Sequence, residues 1–224
     1  MAKITHHRSG RVLYQNKSRT VGATVVDAVA DGASLAGAQL YQVDLQNALL
    51  HRGCFDGANM EKANFNDADL SGSSFIDANL RGAAFYRSDL SNVDFTGANL
   101  NGATLCHALL GGSDLSGAEL RDADLTGAIL TDAKVAFADL TGADLTGADV
   151  VGVDLSQAIT TEHGTAVDYR PEHSRTASKG RHTPDAATAP APAPTEVPAG
   201  AHASCNYAGM CVANLVDAHV RPCR

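Results

Sequence analysis

An unbroken period of five runs from Ala33 to Gln157, and it decides what this chain can fold into. Every fifth residue from Leu35 to Leu155 is apolar, in twenty-five positions out of twenty-five. The residue two places earlier is small or short, as at Ala33, Ala38, Val43, Ala48 and Gly53. The residue just before the apolar one favours Asp or Asn, as at Asp44, Asn59, Asn64 and Asp69. The two residues after it favour Ser, Thr or Arg and then Gly, as in Ala143-Asp144-Leu145-Thr146-Gly147.

Five matches neither regular period. An α-helix would spread these leucines around its whole circumference, and a flat strand would send them to alternate faces. A chain that turns a corner every five residues satisfies the pattern. Each short side points one large apolar residue inward, and the small residue sits near the corner, where a longer side chain would collide. Four sides make a square coil of about twenty residues, and stacked coils pair like strands about 4.8 Å apart. The result is an all-β solenoid, the architecture that an internal repeat announces. About six such coils at roughly 4.8 Å each stack to near 30 Å.

The unit Ala-Asp/Asn-Leu/Phe-Ser/Thr/Arg-Gly resembles the pentapeptide-repeat family, and it covers 125 of 224 residues in one register. The resemblance implies a right-handed quadrilateral β-helix. It implies little about activity, because most members of the family have no assigned function.

Twenty-residue stacking has consequences for single residues. Phe55, Phe75 and Phe95 fall in one column, and Phe65 and Phe85 in the column opposite. Such aromatic columns read as core, worth roughly 0.5–1.5 kcal/mol per pair beyond burial. On one side of the square Leu49, Leu109 and Ile129 replace the usual Asp or Asn, and Val151 follows Val150. Asp69 and Asp89 interrupt that column. Leu49, Leu109, Ile129 and Val151 are therefore a candidate apolar contact strip. The alternative is that the C-terminal tail folds back over that side.

The segments outside the repeat divide by composition. Residues 1–32 read as a cap. Ile4–His7 and Arg11–Gln15 flank a turn at Arg8-Ser9-Gly10, and residues 20–31 read as a helix that Thr20 can cap. Covering the first coil would hide leucines and unpaired edges. His6 and His7 read as surface residues, because neighbours on a strand point to opposite faces. Residues 33–157 form the coil. Residues 158–200 are polar and then Ala/Pro-rich, the composition of a disordered linker. Residues 201–224 hold three of the five cysteines, Cys205, Cys211 and Cys223, as candidate thiol or modification sites. With His219 they offer four N/S ligands for a structural metal, although the spacing matches no zinc signature.

Charge is concentrated on the coil. Residues 33–157 carry 17 Asp/Glu and 6 Lys/Arg. A nucleic-acid binder would show the reverse, a basic stripe, so no direct nucleic-acid contact is expected. No run of apolar residues is long enough to span a membrane, and the N-terminus lacks the apolar stretch of a signal peptide. A cytoplasmic location follows as the expectation, with cysteines as thiols. Cys54 and Cys106 should both face outward on opposite sides, too far apart to pair. His107 adjoins Cys106, but sequence neighbours rarely make a nucleophile pair and no acidic orienter is evident.

No enzyme or cofactor is indicated: no phosphate loop, paired-carboxylate pocket or Ser/His/Asp arrangement is found, and a filled solenoid offers no substrate cavity. Three binding functions remain. A folded domain, a spacer and a Cys-rich end have the layout of a leader or carrier that presents Cys205, Cys211 and Cys223 to a modifying enzyme. The resemblance also implies a DNA-mimicking binder of DNA gyrase or another type II topoisomerase, since some members protect gyrase in that way. The apolar strip suggests an adaptor that docks a protein partner.

Overall fold

A computed structural model describes residues 1–160. The chain opens with strand β1 (Ala2–Thr5) and strand β2 (Val12–Asn16), paired antiparallel, followed by helix α1 (Val21–Ala30). Thr20 is the N-cap, with its hydroxyl accepting from the Ala23 N–H, which meets one of the orphan donors of the first turn. The hairpin turn is longer than Arg8-Ser9-Gly10. Register shifts after Ile4, and His6, whose N–H still donates to the Arg11 carbonyl at 2.8 Å, also bridges Ala38 of the first coil. The irregular register overturns the alternation expected for His6 and His7: their rings stack on one another, centroids 5.2 Å apart.

From Leu35 to Ile159 the chain winds in coils of twenty residues. The bridges Gln39 to Asn59, Asn59 to Asn79 and Asn79 to Asn99 are parallel and twenty apart, and the same spacing recurs on all four sides. Each side contributes one bridging residue per coil, so the sides are bridge ladders and not extended strands; named strands occur in the hairpin alone among the described residues. The ladder uses both edges of every coil. The Leu40 N–H donates forward to the Asn59 carbonyl at 2.7 Å, and the Asn59 N–H donates back to the Ala38 carbonyl at 2.8 Å. Corners fall two places after each apolar residue, where φ is positive, as at Gly97 (66°). The repeat therefore favours Gly there. Asp, Asn, Arg and even Phe137 (60°) fill the same corner elsewhere, at a strain cost that the ladder absorbs.

The interior is filled. The five inward phenylalanines, Phe55, Phe65, Phe75, Phe85 and Phe95, are fully buried. Phe55 and Phe75 stack at 4.9 Å, Phe75 and Phe95 at 5.4 Å, and Phe65 and Phe85 at 4.8 Å. The two columns also meet edge to face, with Phe65 against Phe75 at 6.1 Å and Phe85 against Phe95 at 6.2 Å. At the first coil, α1 and the hairpin close the end with Ile4, Val25 and Ala28 fully buried. Gly22 permits the approach, because a Cβ there would lie 2.3 Å from the Asp44 carbonyl oxygen. Among the described residues no helix is long and apolar enough to cross a membrane.

Candidate interaction face

The Asp/Asn position of the repeat has a structural task. The residue after each apolar one has no backbone acceptor within the ladder. Its N–H instead donates to the Asp or Asn two places earlier: Ser71 to Asp69 at 3.0 Å, Ser91 to Asp89 at 3.0 Å, Thr126 to Asp124 at 2.9 Å and Thr146 to Asp144 at 2.9 Å. Each is a side-chain cap on a turn. At some positions where the side chain does not do this, a neighbour one coil earlier does. The Tyr86 N–H, following Ala84, donates to Asn66 Oδ1 at 2.9 Å, and the Arg121 N–H, following Glu119, donates to Asn101 Oδ1 at 2.9 Å.

Leu109 and Ile129 give up that cap. They bridge each other on adjacent coils of one side, and they remain 37% and 42% exposed. Gly111 stands beside Leu109 in the position that rescues the next coil elsewhere, and it has no side chain with which to cap Thr131. The absent side chain also keeps the surface low beside the pair. Asp89 bridges Leu109 on one flank and Asp149 bridges Ile129 on the other, so an apolar pair is bracketed by carboxylates. Val151 lies at the edge of the pair in the neighbouring column, well exposed. Leu49 is exposed too, but Asp69 and Asp89 separate it from Leu109, so it stands apart from the other three strip residues.

Two exposed apolar residues were not singled out by periodicity. Phe137 occupies a corner and is 67% exposed, and Ile159 extends the Asp139 column one coil onward. The signal for Phe137 was present as the one aromatic residue at a corner position. Ile159 lies beyond the last residue that the five-fold pattern covers, and the winding reaches it nonetheless, with the Leu140 N–H donating to its carbonyl at 2.9 Å.

Some carboxylates are committed to ion pairs. Arg121 Nε donates to Asp139 at 2.6 Å, and Lys134 Nζ donates to Asp114 at 3.2 Å. Burial works to raise both carboxyls, but hydrogen bonds from Thr141 and Arg121 hold Asp139 below its ordinary value, and those from Ser116 and Lys134 do so for Asp114. Asp124 and Asp144, bridged on another side, have no basic residue in their column.

Cys54 and Cys106 lie on opposite sides of the coil. Cys106 is fully buried, and each of the two cysteines is engaged in a disulfide, which corrects the expectation of thiols. Its column neighbours are Tyr86 and Thr126, and the His107 ring meets Tyr86 edge-on at 6.1 Å. Buried sulfur and an adjacent ring in that packing give no access to a substrate. A groove between α1 and the first coil, lined by Thr20, Val21, Gln39 and Tyr41 among others, brings no acid–base pair together. Among the described residues no group of His, Cys, Asp and Glu is arranged to hold a metal ion. The candidate thiols Cys205, Cys211 and Cys223, and the candidate metal set that adds His219, lie outside the described residues.

Comparison with known proteins follows the geometry. A family model for pentapeptide repeats matches eight copies across residues 26–67, 54–92, 63–102, 98–135 and 130–159. A search of curated proteins finds no match. Among solved structures the chain is similar to HetL, a pentapeptide repeat protein involved in heterocyst differentiation regulation from the cyanobacterium Nostoc sp. strain PCC 7120. The identity is 26%, over 58% of this chain and 83% of that one, with a TM-score of 0.28. It is similar to QnrB1, a plasmid-mediated fluoroquinolone resistance protein, at 20% identity over 55% and 77% of the two chains, TM-score 0.26. A third, alr5209 from Nostoc PCC 7120, is 27% identical over 66% of this chain and all of that one, TM-score 0.26. None superposes closely enough to carry a functional argument.

Proposed function

The chain belongs to the pentapeptide-repeat family, and from that premise we propose that it binds a protein partner through the side of the β-helix that carries Leu109 and Ile129. One observation carries the reading. At these two adjacent positions the repeat surrenders a turn-capping carboxylate or amide and exposes a large apolar side chain instead. Stability gains nothing from that exchange, since the apolar surface stays in part in water and the following N–H loses its side-chain acceptor. A contact gains from it. Asp89 and Asp149 at the two ends select the partner's chemistry: an apolar anchor flanked by Lys or Arg. The filled interior supports binding as the mode of action, because the coil can present residues but not enclose a substrate.

The test replaces both residues by Asn. Asn ladders already occur in this coil, with the Asn79 amide donating to Asn59 Oδ1 at 3.0 Å. The Leu109→Asn/Ile129→Asn variant should therefore regain both caps and unfold within about 1 kcal/mol of the wild type. Partners captured by crosslinking in the native cell should be lost more than tenfold from the variant, and kept by an Asp69→Asn control. Equal capture by the variant would overturn the reading.

A second reading has its own observation. Residues 110–157 carry nine Asp/Glu and two Lys/Arg, a surface that favours a mimic of duplex DNA acting on a type II topoisomerase. A gyrase supercoiling assay separates the two. Mimicry requires inhibition or protection that survives the Leu109/Ile129 substitutions and is abolished by Asp124→Asn with Asp144→Asn.

A further inference from the structure

The side that carries Leu109 and Ile129 differs from the other three in charge. Its ladder runs Leu49, Asp69, Asp89, Leu109, Ile129 and Asp149, each bridging the next. From Asp69 to Gly152 this side and the corner that ends it hold Asp69, Asp89, Asp132 and Asp149 and no Lys or Arg. Over the same coils every other side holds at least one base: Lys134 on one, Lys62, Arg81 and Arg121 on the next, and Arg87 on the third. Asp89 and Asp149 each spend one oxygen on a turn. Asp89 Oδ1 accepts from the Ser91 N–H at 3.0 Å, and Asp149 Oδ1 from the Val151 N–H at 3.1 Å. Neither takes part in an ion pair among the described residues.

Surface relief on this side is uneven at the same place. The residues that follow its inward positions are His51, Ser71, Ser91, Gly111, Thr131 and Val151. Gly111 has no side chain, and the backbone does not demand a glycine there. The positive φ falls on Gly112 (66°), one residue later. A Cβ on Gly111 would meet nothing nearer than the Thr131 carbonyl oxygen at 3.8 Å, an ordinary contact. The fold would accept a larger residue, and its absence leaves a low seat beside Leu109.

We propose that the partner segment held here is a basic amphipathic α-helix lying along the solenoid axis, with two apolar residues on Leu109 and Ile129 and a Lys or Arg on each of Asp89 and Asp149. The proposal rests on the reading of this side as a protein-binding surface. Spacing selects the helix. Coils about 4.8 Å apart place Asp89, Leu109, Ile129 and Asp149 at about 0, about 4.8, about 9.6 and about 14.4 Å along the axis. A helix rises about 1.5 Å per residue, so its positions i, i+3, i+7 and i+10 share a face at about 0, about 4.5, about 10.5 and about 15 Å. No position misses its partner by more than about 1 Å. Same-face residues of a strand stand about 6.8 Å apart, and four of them would overshoot the same span by about 6 Å. A nucleic-acid backbone or an anionic headgroup would be repelled by the same carboxylates.

The experiment titrates the full chain into labelled peptides and reads fluorescence anisotropy. The probe is a stapled Ala/Gln helix of about 14 residues with Lys, Leu, Leu and Lys at i, i+3, i+7 and i+10, the staple removing the ordering cost. One control exchanges the Lys and Leu positions, and a second, unstapled, places them at alternate residues to suit a strand. The probe should bind at least tenfold more tightly than either control. Leu109→Asn with Ile129→Asn should abolish that preference. Asp89→Asn with Asp149→Asn should weaken the probe about threefold, since an Asn keeps the turn cap, as Asn99 does for the Asn101 N–H at 3.1 Å, and removes only the charge. Gly111→Gln, which fills the seat, should weaken it as much, and Asp94→Asn on another side should not. Equal binding of the exchanged helix, or tighter binding of the alternating peptide, would overturn the proposal. If the Leu109/Ile129 substitutions still abolished capture in the cell, the binding side would stand and the helix alone would fall. A full-length dimer that those substitutions dissociate would also overturn it, since the occupant would then be a second copy.

Discussion

At the scale of single residues, the same position in different coils is a controlled comparison. Ser73, Ser88 and Ser113 all stand where the repeat prefers Ala, and all are buried. Ser73 donates to the Leu50 carbonyl at 2.9 Å and accepts from the Gly53 N–H at 3.0 Å, and Ser88 donates to the Phe85 carbonyl at 2.8 Å. The Ser113 hydroxyl has no partner. A buried hydroxyl without a partner costs about 1–3 kcal/mol, whereas a satisfied one contributes about 1. Ser113→Ala should therefore raise the unfolding free energy by about 1 kcal/mol, and Ser73→Ala should lower it by about as much. Urea denaturation of the two variants checks the opposite signs. The residue scale also shows that the aspartate content has a structural source. Asp69, Asp89, Asp124 and Asp144 each spend one carboxylate oxygen on a turn N–H. Their abundance follows from turn geometry before any partner is considered.

At the scale of elements, the N-terminal cap is tied together by two carboxylates of α1. Tyr14 of β2 donates to Asp31, the C-cap of α1, while Asn16 and Ser18 both donate to Asp27. The Tyr14 phenol is pushed up to about 12, first by its hydrogen bond to Asp31 and then by burial and the charges of Asp31 and Asp27. A phenol whose folded value is raised lends stability that is fully present below the unfolded value of about 10. That stability is lost as pH rises from about 10 through 12. In that window the melting advantage of the wild type over Tyr14→Phe should vanish, while below it the wild type should be the more stable. Thermal melts at stepped pH, read beside the ultraviolet signal of tyrosinate, test this. The helix was legible from Thr20 and the valine spacing because capping and amphipathicity are local. The path of His6 was not, because its pairing with Ala38 depends on how the cap meets the coil.

At the scale of the whole molecule, stacking brings like charges into register. Asp69 bridges Asp89, and Asp124 bridges Asp144. On coils about 4.8 Å apart such pairs repel, and the three ion pairs of the described residues offset part of the excess. Screening shortens the range of that repulsion to about 8–10 Å at physiological salt and to about 3 Å at 1 M. The melting temperature should therefore rise between 20 mM and 200 mM NaCl. A fall over that range would mean that attractive pairs such as Arg121 with Asp139 outweigh the stacked acids. Differential scanning calorimetry at three salt concentrations decides it.

By itself the sequence determined the repeat, its twenty-residue register, the phenylalanine columns and the column that holds Leu109 and Ile129. Each of these depends on spacing alone, because a solenoid residue meets chiefly its own side and the residues twenty before and after. Tertiary structure decided what spacing does not encode. It separated Leu49 from the Leu109–Ile129 pair, buried Cys106, stacked His6 on His7 and left Phe137 exposed at a strained corner. It also showed the Asp/Asn positions to be turn caps, and so made the loss of that cap at the adjacent, exposed Leu109 and Ile129 informative. The physical reason is common to all of these. Burial, capping and the docking of an end depend on which side chains share a neighbourhood in three dimensions, and a periodic code repeats the backbone without repeating those neighbours.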